Sequence, residues 1–299
     1  MRRCPVCLKK SDQKKVSEAG KYKMFHCPSC DVVFADPFKA PGASWYENAE
    51  MYTVGRVITK TTEWYHKQVL GRKIKGKSLI DIGCGTGIFL SEAKKLGYDV
   101  YGIDFDRSNI KVAKEKYKIE NVFCYSVAEL KKKFGKHRFD IVTFFEVLEH
   151  LDSPKKFLDD IKDLLTPGGV IALSVPNRNR FIDTIGIGDA PPNHLTKWSA
   201  GALRNFIAEQ GFVVIDLVEK PLNSDDIAHY LKGKIRFGLA HGMVKKGLET
   251  NNNESIKKAG LLMKVKNVFF NTISMPPGIL CGLLRFKGSN LTCIAKLKA

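Results

Sequence analysis

The stretch Ser78–Leu90, SLIDIGCGTGIFL, decides how the rest of the chain is read. Leu79, Ile80 and Ile82 form the short apolar run of a strand covered on both faces. Gly83, Gly85 and Gly87 follow at alternate positions. Residues without a Cβ let the chain turn sharply and bring backbone N–H groups close to a ligand. Beyond them, apolar residues at 88, 89, 90, 93 and 96 take helical spacing, and Gly97 stands where a C-terminal cap belongs. Strand, glycine turn and helix in this order make a nucleotide-binding unit. A Walker phosphate loop would need Gly-Lys-Ser/Thr, and Thr86-Gly87-Ile88 offers no lysine. A dinucleotide fold would show G-x-G-x-x-G, and here the third glycine comes one residue early.

The chain then alternates. Asp99–Asp104 reads as a second strand ending in an acid, Ser108–Tyr117 as a helix and Asn121–Val127 as a short third strand. Phe139–Phe145 reads as the fourth strand and runs into Glu146-Val-Leu-Glu-His150. Ser153 is a candidate N-cap for a helix with Pro154 at its first position and Phe157, Ile161, Leu164 and Leu165 on one face. Val170–Val175 gives strand five, Ala200–Gln210 a helix, Phe212–Val218 strand six and Leu291–Leu297 the last strand. The expectation is an α/β fold: a doubly wound, mostly parallel, seven-stranded Rossmann-like sheet.

With these elements in place, Asp81-x-Gly83-x-Gly85-x-Gly87 and Asp104 resemble motif I and the ribose-binding acid of the class I S-adenosylmethionine-dependent methyltransferases. The resemblance implies S-adenosylmethionine as cofactor, held by Asp81, Gly83, Gly85, Gly87 and Asp104, with Ser126, Val127 and Phe145 beside it. The family usually has an acid where Ser126 stands; Glu129 follows three residues later. Glu146, Glu149 and His150, if helical, share one side, and His194 comes after strand five, at the same end of the sheet. E-x-x-E-H with a later His resembles the ubiquinone-biosynthesis O-methyltransferases and the small-RNA 2′-O-methyltransferases. There the four side chains bind a divalent ion, Mg²⁺ or Zn²⁺ here, that orients the target hydroxyl. His194 or His150 acting as a metal-free base, or all of these residues merely supporting the loops, are the alternatives.

Cys4-Pro-Val-Cys7 and Cys27-Pro-Ser-Cys30 are paired turns whose four thiolates suit tetrahedral Zn²⁺, with Val16–Phe25 as a hairpin between them. So small a segment cannot hold a core alone, and a structural metal would supply its folding free energy. His26 is a candidate substitute ligand. Cys84, Cys124, Cys281 and Cys293 lie among apolar residues and read as core thiols, not a disulfide framework. The start MRRCPVCLKK has no apolar h-region. Together these features predict a cytoplasmic protein.

Forty-nine Lys or Arg against 31 Asp or Glu give a net charge of +18, which admits anionic partners and also an ordinary solvated surface. Nine basic residues face two acids over Ile227–Thr272, where Leu231, Ile235, Leu239, Met243, Leu248, Leu261, Leu262, Val265, Val268 and Phe269 suggest basic amphipathic helices. They read as a cap over the substrate site, with an anionic membrane surface or a lipid-linked substrate as the specific partner, which would make the protein membrane-peripheral. The expected organisation is a zinc-ribbon-like segment over 1–40, a helical lid or linker over 41–75 and a core over 76–220. A basic helical insertion over 221–288 and a terminal strand over 289–299 complete it. In the linker, Trp45, Tyr46, Tyr52, Trp64, Tyr65 and His66 form a lid or pack the ribbon onto the core. The function expected is O-methylation of a small-molecule, sugar or lipid-linked hydroxyl. An RNA methyltransferase and a non-catalytic binding module are the other readings, with nucleic acid the less favoured partner.

Overall fold

The computed structural model describes residues 2–42, 45, 61–136, 138–183, 186–234 and 253–298. Five strands open the chain: β1 (Arg2–Arg3), β2 (Lys10–Ser11), β3 (Lys14–Ala19), β4 (Tyr22–His26) and β5 (Val33–Asp36). β3 and β4 make the expected hairpin, turning at Gly20, whose φ of +57° suits a residue without a side chain. This sheet takes its fourth strand from far along the chain, β11 (Thr196–Lys197), in the order β11-β5-β4-β3. Asp31 strengthens the join: its carboxylate accepts hydrogen bonds from Arg178 and Ser199.

The main sheet holds β6 (Ser78–Ile82), β7 (Asp99–Ile103), β8 (Val122–Phe123), β9 (Phe139–Phe145), β10 (Leu165–Pro176), β12 (Phe212–Pro221) and β13 (Lys287–Leu297). Its order is β12-β13-β10-β9-β6-β7-β8, and β13 alone runs opposite to the other six strands. The seven-stranded, mostly parallel sheet is therefore as expected. The third strand is shorter than its sequence suggests, because Ser126 leaves the strand to cap the next helix. β6 lies between β7 and β9, so the strand order reverses beside it and a crevice opens at its carboxyl end.

The helices are α1 (Trp64–Leu70), α2 (Ile88–Lys95), α3 (Arg107–Glu115), α4 (Val127–Phe134), α5 (Pro154–Leu164), α6 (Ala200–Glu209), α7 (Ser224–Lys234) and α8 (Asn253–Leu283). Leu158, Ile161 and Leu164 of α5 are fully buried with Phe139 and Phe144 of β9. Each such side chain contributes about 1.5–3 kcal/mol of transfer free energy. The insertion before β13 begins with α7 and ends with α8. Ile235, Leu239, Met243 and Leu248 fall outside the described residues, as do Tyr46 and Tyr52. Pro276 and Pro277 lie within α8 rather than ending it. No helix among the described residues is long and apolar enough to cross a membrane.

Candidate active site

A cavity of about 740 Å³ opens at the carboxyl ends of β6, β7 and β9. Asp81, Gly83, Gly85, Asp104, Ser126, Val127, Phe145, Glu146 and His150 all line it. Gly87 does not. It caps α2 at φ +80°, and a Cβ there would come within 2.9 Å of the Ala113 Cβ. The third glycine thus lets two helices approach, whereas Gly85 faces open space.

Two buried acids sit at the crevice. Asp81 accepts a 2.6 Å hydrogen bond from the Thr143 hydroxyl, and burial pushes its carboxyl up to about 8. Asp104 accepts from the backbone N–H of Gly85 and of Asp106, both at 2.8 Å. Burial raises its pKa as well. Each of its oxygens keeps further accepting capacity. Ser126 and Glu129 form a reciprocal capping box at the start of α4, so Glu129 is occupied by the helix terminus. Tyr65 reads from the sequence as a lid or packing residue. It stacks on Phe145, with ring centroids 5.4 Å apart, and lines the cavity with His66.

A second cluster adjoins this cavity. The stretch after β9 is not the α-helix that would put Glu146, Glu149 and His150 on one side. Glu146 takes φ +54°, and only Leu148–His150 make a turn of 3₁₀ helix. Glu146 and Glu149 therefore leave the common face that helical spacing would give them. The Glu146 carboxylate turns to the Ser174 hydroxyl (2.7 Å) and the Asn290 amide (3.1 Å). Burial and neighbouring acids raise its pKa to about 7.

Glu149, His150 and His194 remain together, with one ligand atom of each within 4.8 Å of the others. Glu149 is fully buried, and neither carboxylate oxygen has a hydrogen-bond partner among the described residues. Burial and Glu146 push its pKa well up. Both imidazoles turn Nε2 towards it, each 4.0 Å from Oε1. His150 Nδ1 lies 2.7 Å from the carbonyl oxygen of Asn193, which can only accept, so Nδ1 carries the hydrogen. Burial and His194 hold His150 down to about 3, so it is neutral. His194 Nδ1 lies 3.0 Å from Asp189 Oδ1. Burial opposes ionisation of Asp189, but His194, Arg180 and Lys197 outweigh it and hold the carboxyl well below the usual range. A ligating His commonly has its other nitrogen fixed in this way by a carbonyl or carboxylate. Asp189, Asn193 and Arg180 escaped the sequence reading because they act through other side chains. Leu195 N–H donates to the Glu149 carbonyl, and the Leu195 carbonyl accepts from Ala35 N–H, so one strand of backbone links this cluster to the N-terminal sheet.

In that N-terminal segment, Cys4, Cys7, Cys27 and Cys30 converge. The Sγ atoms of Cys4 and Cys30, and those of Cys7 and Cys27, are 3.8 Å apart. A tetrahedron with zinc–sulfur bonds of about 2.3 Å has edges of about 3.8 Å. His26 is not part of this group and pairs with Asp31 at 2.8 Å.

Among curated proteins, the chain is 39% identical over 127 residues to the ubiquinone biosynthesis O-methyltransferase of Dinoroseobacter shibae, covering 42% of this chain and 50% of that protein. It is 35% identical over 119 residues to the enzyme of the same name from Psychrobacter arcticus, covering 38% and 46%. The chain thus spans about half the length of the curated relatives it matches. Solved structures share the fold. Phosphoethanolamine N-methyltransferase 2 of Haemonchus contortus, in complex with S-adenosyl-L-methionine, aligns with a TM-score of 0.55 at 16% identity, over 86% of this chain and 60% of that one. A SAM-dependent methyltransferase from Archaeoglobus fulgidus aligns with a TM-score of 0.50 at 16% identity, over 84% and 96%. The family described as methyltransferase domain matches residues 58–217, more than half of the sequence, and the chain belongs to it.

Proposed function

We propose that the protein is an S-adenosylmethionine-dependent methyltransferase that transfers its methyl group to a hydroxyl of a small-molecule, sugar or lipid-linked acceptor. The observation that carries this reading is the adjacency of two sites: the cavity lined by Asp81, Gly85 and Asp104, and the buried Glu149–His150–His194 cluster next to it. The relatives named for ubiquinone O-methylation support oxygen as the methylated atom.

In this reading Asp104 accepts the ribose hydroxyls of the cofactor with the capacity left by Gly85 and Asp106. Asp81 and Gly85 border the cofactor's amino-acid end, and Ser126, Val127 and Phe145 its remaining walls. Bound S-adenosylmethionine supplies an electrophilic methyl group. The chain's own task is to align the acceptor oxygen and exclude water, and alignment alone can be worth about 7–11 kcal/mol. Glu149, His150 and His194 fit a divalent ion: a carboxylate without a partner faces the Nε2 side of two held imidazoles. They would hold Mg²⁺ or Zn²⁺, which supplies Lewis acidity that lowers a hydroxyl's pKa. Asp189 and Asn193 keep both imidazoles in the ligating tautomer. Cys4, Cys7, Cys27 and Cys30 would hold a structural Zn²⁺.

One observation favours a second reading. The 3.0 Å contact between His194 and Asp189 is also the geometry that orients a general base. Transfer assays before and after removal of weakly held divalent ions separate the two. A rate restored only by added metal, and absent in Glu149→Gln, supports the ion. A rate indifferent to metal and lost in His194→Gln supports the base. Retention of both rates in the variants would refute any role for the cluster.

A further inference from the structure

The helix α8 packs on α7 through one narrow face. Phe270, Ser274 and Gly278 point inward, and a Cβ at Gly278 would fall 2.5 Å from the Ser224 Cα. Over residues 268–283 the opposite face is apolar and exposed. Val268 (68% exposed), Phe269 (59%), Ile273, Ile279 (61%), Leu280 and Leu283 (75%) spread over an arc of about 140° at helical spacing. Contiguous exposed apolar surface of this kind marks an interaction site rather than scattered surface residues. It continues beyond the helix: Leu284 is exposed, and Phe286 stacks on the exposed Phe181 with centroids 4.3 Å apart. Phe181 adjoins Arg180, the residue that holds Asp189.

Charge selects the occupant. Residues 267–284 contain no charged side chain, and over 255–299 the sequence has eight Lys or Arg and no Asp or Glu. Arg285 and Lys287, at the end of the apolar run, are both exposed. A second copy of a chain with net charge +18 would bring like charge against like. An apolar face bracketed by basic residues matches the two signals that hold a helix in the plane of an anionic bilayer. We propose that the exposed face of α8, continued by Phe286 and Phe181, docks the protein on an anionic lipid surface, with the helix lying in the interface and not crossing it. This surface is distinct from the methyl-transfer cavity, and the inference stands whether or not that reading of the cavity holds.

The test is co-sedimentation of the full chain with phosphatidylcholine vesicles, with and without phosphatidylglycerol. The wild type is compared with a Phe269→Ser, Ile279→Ser, Leu283→Ser variant. S-adenosylhomocysteine affinity and the thermal midpoint serve as controls for folding. The wild type is expected to bind phosphatidylglycerol vesicles, less so at high salt, and the variant at least tenfold more weakly with both controls unchanged. A Leu280→Trp reporter, whose emission shifts to the blue on vesicle addition, checks insertion without loss of apolar surface. Equal binding by variant and wild type would overturn the proposal, since only charge would then be at work. So would a wild-type dimer that the variant abolishes, with no vesicle binding.

Discussion

Replacement of Glu149 by methionine should make the divalent-free protein more stable and make it indifferent to added divalent ions. Glu149 is fully buried and both of its oxygens lack a partner among the described residues. A buried polar group left unsatisfied costs about 1–3 kcal/mol, and methionine fills a similar volume with no polar atom to satisfy. The variant should therefore gain up to about 3 kcal/mol over the wild type when weakly held divalent ions have been removed. The wild type should recover the difference on ligation. An ion at a hundred times its dissociation constant stabilises the folded state by about 2.7 kcal/mol, whereas the variant should gain nothing. Urea denaturation over a Mg²⁺ or Mn²⁺ series reads both effects. The reasoning fails if Glu149→Met is less stable than the wild type without divalent ions, or if both proteins respond to the ion equally.

Further outcomes follow from other contacts. Asp189→Asn should weaken divalent binding about 10–100-fold, because the carboxylate that orients His194 is lost; calorimetric titration of the ion measures this. Gly87→Ala should cost about 2–5 kcal/mol, from a left-handed φ and the 2.9 Å contact with Ala113, and added Ala113→Gly should return the contact part in a double-mutant denaturation cycle. Asp81 keeps its proton when folded up to about pH 8 but loses it near pH 4 when unfolded. The folded state then binds more protons across that window, so stability falls as pH rises from about 4 to 8. Asp81→Asn should lack this loss, up to about 4 kcal/mol at neutral pH, in denaturation curves across pH. Lys220→Ala should cost about 3–5 kcal/mol, since it strands the buried Asp226 carboxylate 2.9 Å away, and the denaturation midpoint reports it.

How much of this was legible in the sequence depended on how local each signal is. The β6–glycine turn–α2 unit was readable because its apolar run, its glycines and its helical spacing all lie within twenty consecutive residues, 78–97. The cysteine pairs were readable because metal-ligating turns impose a short spacing. The Glu149–His150–His194 set was legible as residue types, but its arrangement was not. Helical spacing put Glu146 beside Glu149, and the left-handed backbone at Glu146 sends it to Ser174 and Asn290 instead. Asp189 and Asn193 gave no periodic signal, since each acts through a histidine. Strand β11 is two residues long and pairs with β5 across some 160 residues of sequence, too little pattern to see at that separation. The close approach of Gly87 to Ala113 was hidden for a related reason: its neighbour belongs to another helix.

The most direct test of the central claim is calorimetric titration of S-adenosylhomocysteine into the purified chain and into Asp104→Ala. The account predicts one molecule bound per chain, with binding lost in the variant while its thermal midpoint shows it folded. Absence of binding to the wild type, or equal binding by folded Asp104→Ala, would contradict the assignment of the cavity.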